Sequence, residues 1–259
     1  MDNATAPNRP DYGRYVLGAG IVFIGALCLA FGAFNPGQPV PKAFPHRMEL
    51  AYVVGAFLVI GGLALEWRRT VVWGAAALAL YYWLIDVVLL NGRVVLANYN
   101  VYGAYEGIAI QTAVASGILL VYAAHANIDA VLAKRLTRAA QIAFGIAAVI
   151  FGGAHFVYMN LTAPLVPKWL PPNQVFWGYA TGVFHIAAGL AILSGIQARL
   201  ATILLTIMFA SWTPLVHVPT LFADPTNHFF WTENAENLAL TGAAWVLAES
   251  FVRAKRSLP

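Results

Sequence analysis

The chain is a succession of long apolar runs cut by short polar or proline-bearing breaks. Eight runs, at about 14–34, 49–66, 70–91, 102–124, 139–159, 174–194, 199–221 and 233–252, approach the length of a membrane span. A helix needs roughly 20 mainly apolar residues to cross the hydrocarbon core. Barrel strands would alternate apolar and polar positions over about ten residues. These runs do not alternate. They are rich in Gly, Ala and aromatics, which predicts helices, since a segment in lipid must satisfy its own backbone.

The runs fall into two similar sets. Pro45, Tyr52, Gly55, Phe57, Gly62, Leu63 and Ala64 recur as Pro172, Tyr179, Gly182, Phe184, Gly189, Leu190 and Ala191, at a constant offset of 127. The same offset pairs Gly18 with Gly145, Gly25 with Gly152, Asn100 with Asn227 and Glu106 with Glu233. An ungapped register of this length predicts an internal duplication. The expected architecture is an all-α membrane protein of eight transmembrane helices, built as two parallel four-helix repeats over 14–124 and 139–252. Residues 1–13 read as a cytoplasmic tail without a cleavable leader, 125–138 as a cytoplasmic linker and 253–259 as a basic cytoplasmic tail. An even number of helices per repeat gives both halves the same orientation. Glycines seven apart, such as Gly55 and Gly62 or Gly182 and Gly189, lie on one helix face and predict close helix crossings.

Composition agrees. The chain is 60% hydrophobic and 10% charged, where a soluble domain carries about 25% charged residues. The net charge of +4 marks topology rather than nucleic-acid binding, because the basic residues sit in short loops. Of the 15 Lys and Arg, eleven fall on the side of the two termini and four on the other. That bias favours both termini in the cytoplasm, and the expected setting is a bacterial inner membrane. The lone Cys28 excludes an intrachain disulfide.

Chemistry concentrates in the second half. Where it has His155, His185 and His217, the first has Cys28, Leu58 and Leu90. Threaded through the bilayer, His155, Tyr158, His217, Glu233 and Glu236 fall in the outer third, with Trp212 close by. His185 lies about 16 Å down its helix, near the midplane. Ionisable groups in a span face a bundle interior or a cavity and mark function. Three readings are open. His155, His185, His217 and Glu236 could hold a metal, imidazole and carboxylate being suitable ligands, although no His-x3-His or Glu-x-x-His spacing is present. A quinone or similar lipophilic molecule could bind among His185, Trp212, His217 and Tyr158, aromatics covering its ring and a histidine meeting its oxygen. Hydrogen bonds that fix the bundle are the third. In the first half, Asp86 is the one deep acidic residue, with a Tyr hydroxyl or Arg93 as expected partner; His46, His125 and His228 are expected in solvated loops. No phosphate-cradling loop, Gly-x-Ser-x-Gly elbow or Cys-His dyad supports soluble-type catalysis.

Gly152-Gly153 in a first helix, a Pro-bearing outward loop, a second helix ending Ala188-Gly189-Leu190-Ala191 and a last helix opening Glu236-Asn237-Leu238-Ala239-Leu240-Thr241-Gly242 resemble the DoxX-like superfamily of four-helix membrane proteins. The resemblance is clearest over about 140–250 and weaker over 14–124. It implies a membrane subunit associated with redox enzymes, some relatives belonging to quinone-linked sulfur oxidation, and hence a redox protein partner. It carries no catalytic residue onto this chain. The resulting expectation is a pocket facing outward in the second half that takes a quinone-like molecule. The alternatives are a small-molecule or ion transporter working between the halves, and a structural or assembly subunit without ligand.

Overall fold

A computed structural model describes residues 11–256. The first ten residues of the expected tail 1–13, and the side chains of the basic tail 253–259, lie outside the described residues. Eight long helices follow one another: α1 Tyr12–Phe31, α2 Arg47–Glu66, α3 Val71–Ala97, α4 Tyr102–His125, α5 Ala130–Val157, α6 Gln174–Ser194, α7 Ala198–Ala223 and α8 His228–Arg256. No strand occurs among the described residues. The first seven are long and apolar enough to cross a membrane, which makes this a multi-pass membrane protein. The eighth is the longest, at 29 residues, but its first turns carry Thr232, Glu233, Asn234, Glu236 and Asn237.

Several boundaries differ from the sequence reading. α5 starts at Ala130, so most of the expected linker 125–138 is helix and the connection shrinks to 126–129. The cause is local: the Asp129 side chain accepts from the Val131 and Leu132 amides, a strong N-cap, and good helix formers follow. α3 and α7 each contain a π-helical stretch, Tyr81–Asn91 and Thr213–His217, and run on to Ala97 and Ala223. In α7, Pro214 disturbs the α-helical bonding. The carbonyls concerned find side-chain donors: Asn237 Nδ2 reaches Phe209 O at 2.9 Å, and Asn234 Nδ2 reaches His217 O at 2.8 Å. In α3, Asn91 Nδ2 donates to Asp86 O at 3.1 Å in the same manner.

Lipid removes the hydrophobic drive between helices, so close packing of small residues must bring them together. The glycines seven apart do this. A Cβ added at Gly25 would lie 2.6 Å from Gly55 O, and one at Gly152 would lie 2.6 Å from Gly182 O. Thus α1 meets α2, and α5 meets α6, backbone to backbone. α4 and α8 touch at the centre. Each also packs on the third helix of its own half and the first helix of the other: α4 on α3 and α5, α8 on α7 and α1. Helix starts recur at the sequence offset of 127: Arg47 and Gln174, Val71 and Ala198. The long proline-bearing connections, 32–46 and 158–173, lie at the same end of the bundle as the short turns 98–101 and 224–227.

Candidate functional site

At that end, five helices enclose a pocket of about 190 Å³. α5 gives Phe151 and His155, α6 gives Thr181 and His185, α7 gives Phe209, Trp212 and His217, and α8 gives Glu233, Glu236 and Asn237. α4 adds Glu106 and Ile110, and the segment after α5 covers the mouth with Thr162, Leu165 and Val166. Six of the seven residues singled out from sequence therefore meet at one cavity. The seventh, Tyr158, does not line it: its hydroxyl accepts from the Gly103 amide at 2.9 Å, and its ring meets Tyr102 edge-on. Tyr158 is the C-cap of α5 and contacts Tyr102 and Gly103 of α4.

The imidazoles sit in an aromatic frame. The His155 and His185 rings are stacked at 5.7 Å and 28°. Trp212 lies 5.4 Å from His185 and 6.2 Å from His155, and Phe209 and Phe151 flank His185 at 5.6 and 5.8 Å. His185 is 1% exposed. Its Nδ1 stands 3.1 Å from Thr181 O. A carbonyl can only accept, so Nδ1 carries the hydrogen and Nε2 presents a lone pair. That Nε2 is buried and has no partner in the protein, and neither has His155 Nδ1. Buried polar atoms left so are uncommon and call for an explanation. On the far wall Glu236 Oε1 accepts from Gln111 Nε2 at 3.0 Å. No Lys or Arg lines the pocket. Three carboxyl groups and three imidazoles therefore share one cavity without a fixed cation, an arrangement suited to passing protons to and from a bound molecule. Among the described residues, no three His, Cys, Asp or Glu side chains gather to hold a metal ion. His155, His185, His217 and Glu236 line one cavity but do not form such a group.

Glu106 was not among the sequence candidates, because it belongs to the first half. The offset of 127 that pairs it with Glu233 was the available signal. α4 and α8 are the two last helices of the halves and meet at the centre, so paired positions on them approach each other.

The equivalent region of the first half is filled by its own chain. Segment 34–38, Phe-Asn-Pro-Gly-Gln, folds inward with Phe34, Asn35 and Gln38 buried. Gln38 accepts from Cys28 Sγ at 3.3 Å and donates to Tyr81 Oη at 2.9 Å. Asn35 Nδ2 donates to Ile24 O. Three expectations change here. Asp86 pairs with Asn91, at 3.0 Å from Nδ2, and not with a tyrosine or with Arg93, which donates to Pro39 O. His228 is not a solvated loop residue: it opens α8, stacks on Phe31 at 4.0 Å and lies 2.7 Å from Asn35 Oδ1. His125 ends α4 and pairs with Asp11 at 2.9 Å.

Residues 144–229 match the model of a family described as a domain of unknown function, DUF8561. The matched stretch runs from the middle of α5 to the start of α8 and takes in His155, His185, Trp212 and His217, but neither Glu233 nor Glu236. No DoxX-like family model matches. No curated protein and no solved structure matches this chain.

Proposed function

We propose that the pocket binds the ring of a lipophilic, quinone-like molecule and exchanges protons with it, in an eight-span inner-membrane protein whose site faces outward. The observation that carries this reading is the unpartnered, buried Nε2 of His185, a residue in the wall of an aromatic-lined cavity that also has three carboxyl groups. With Nδ1 protonated, Nε2 accepts from a hydroxyl, so the complementary form is the reduced, hydroxyl-bearing ring. Trp212 covers a ring face, and Glu233 and Glu236 carry protons toward the loop-bearing end. Arginines and lysines support the topology: Arg68, Arg69, Lys134, Arg135 and Arg138 lie at the end opposite the pocket, which is then cytoplasmic. Repeated helix starts, matching glycine crossings and π-helical stretches in α3 and α7 support descent from a duplicated four-helix unit of DoxX-like type. That kinship would supply a redox protein as partner.

The test is extraction and titration. Protein purified in mild detergent is expected to release a lipid-soluble ring compound into organic solvent and to bind an added quinol in a manner lost in His185→Phe. Empty extracts together with no binding that depends on His185 would sink the reading.

One observation favours a second reading, transport between the halves: Glu106 and Gln111 of the first half stand with Glu233 and Glu236 of the second. Proton or solute flux into sealed vesicles that fails in Glu106→Gln and Glu236→Gln would select it.

A further inference from the structure

The pocket is too small for a whole amphipathic ligand. Sites that bury most of a drug-sized molecule hold about 300–1,000 Å³, against about 190 Å³ here. A second cavity of about 630 Å³ adjoins it, an apolar groove between α6 and α7. Four residues line both: Val166, Thr181, Trp212 and Val216. We propose that this groove holds the hydrocarbon tail of the molecule whose ring sits in the pocket, and that the molecule enters sideways from the bilayer between α6 and α7. The proposal rests on the ring-binding reading above and adds the ligand's second half and its route.

The groove faces lipid. Phe184, Leu204 and Ile207 along it are 56%, 56% and 59% exposed, and α7 is the least buried span, with 17% of its apolar window covered. Its α7 wall runs from Leu200 to Val216, about 24 Å at 1.5 Å per residue, most of the depth of a hydrocarbon core about 30 Å thick. Away from the junction its only hydrogen-bonding side chains are Trp177, Gln197 and Ser211, and those of Trp177 and Ser211 already donate to backbone carbonyls, so it suits a chain and not a head. At the junction stand Thr181 and Trp212, polar-tipped residues that mark the change from tail to ring. A ligand whose ring reached His185 through the loop-bearing end would leave a long tail in water. Sideways entry keeps the tail in a hydrocarbon setting throughout.

The test compares two probes in detergent-solubilised protein: a methylated hydroquinone without tail, and the same ring carrying a decyl chain. Wild-type protein is expected to bind the decyl form about tenfold tighter, an advantage that micelle partitioning holds below the full transfer value of its methylene groups. Ala187→Trp on α6 and Leu204→Trp on α7 fill the groove from opposite walls, so one suffices if the other does not fold. Either should abolish the decyl advantage and leave tail-free binding within twofold. Equal wild-type binding of the two probes overturns the tail site while leaving the ring site standing. An undiminished decyl advantage in both variants does the same. Binding of neither probe defeats the ring reading and this proposal together. A change of oligomeric state in the Trp variants, with the decyl advantage intact, assigns the groove to a second copy of the chain.

Discussion

Replacing His185 by Phe separates a ligand-binding imidazole from one that merely packs. The ring lies among Phe151, Phe209 and Trp212 at 5.4–5.8 Å, surroundings that accept a phenyl group of similar size. The substitution deletes Nε2, whose burial without a protein partner costs about 1–3 kcal/mol. It also deletes the Nδ1 bond to Thr181 O, worth about 0.5–1.5 kcal/mol net. That carbonyl remains inside α6, where the helix supplies its backbone donor. The first effect is the larger, so ligand-free His185→Phe is expected to gain about 1 kcal/mol. For a chain of this length, that raises the melting temperature by about 2–4 °C. In the same variant a bound hydroxyl loses its acceptor, and a quinol Kd rises about tenfold, the equivalent of about 1.4 kcal/mol. Thermal unfolding in detergent and quinol titration on one preparation measure both. Opposite signs, higher melting with weaker binding, are the expected signature of a residue kept for function at a cost in stability. If His185→Phe melts below wild type and binds quinol unchanged, the imidazole holds helices together and the site as described does not exist.

Glu106→Leu is expected to weaken quinol binding about fivefold, roughly 1 kcal/mol, although the residue lies in the first half; an unchanged titration would remove α4 from the site. Asn237→Leu leaves Phe209 O and Thr213 Oγ1 without their donor and should lower stability by about 1–3 kcal/mol, seen as a lower melting temperature. Gly25→Ala and Gly152→Ala put a methyl group 2.6 Å from a facing carbonyl in both halves, and each should cost about 1–3 kcal/mol by the same melting assay; a harmless Gly152→Ala would contradict the backbone contact between α5 and α6.

Apolar run length is a one-dimensional property, and it located most of the helices to within a few residues. Glycine spacing located the crossings between α1 and α2 and between α5 and α6, because only backbone contact makes that spacing useful. The ends were harder. Asp129 capped a helix that began well before the apolar run did, and in α3 the α-helical segment Gly92–Ala97 follows the π-helical stretch and runs six residues beyond the expected end at 91. Neither shows in hydropathy. Most of the site was legible because titratable residues are rare in these spans, so each His or Glu stood out. Tyr158 was misplaced because depth along a helix does not fix the face a residue takes. Glu106 was missed because site residues were sought in the second half alone, while the chain passes the last helix of each half against the first helix of the other.

That exchange also bears on why the cavity lies in the second half while segment 34–38 occupies the matching place in the first. In the first half, Asn35 and Gln38 bring amide groups inward on a loop containing Pro36 and Gly37, and those amides meet Cys28, Ile24 O and Tyr81. The positions 127 residues later are Thr162 and Leu165, flanking Ala163 and Pro164. Leu161 and Leu165 are 62% and 49% exposed. A segment with these residues offers the imidazoles no inward amide, so it covers the mouth with Thr162, Leu165 and Val166 and leaves the cavity beneath unfilled. Substituting His for Cys28, Leu58 and Leu90 in the first half would therefore not create a second site, since segment 34–38 would still occupy the space. Opening that half requires loss of the inward amides as well. The asymmetry between the halves is thus set jointly by three positions in the helices and by one short loop.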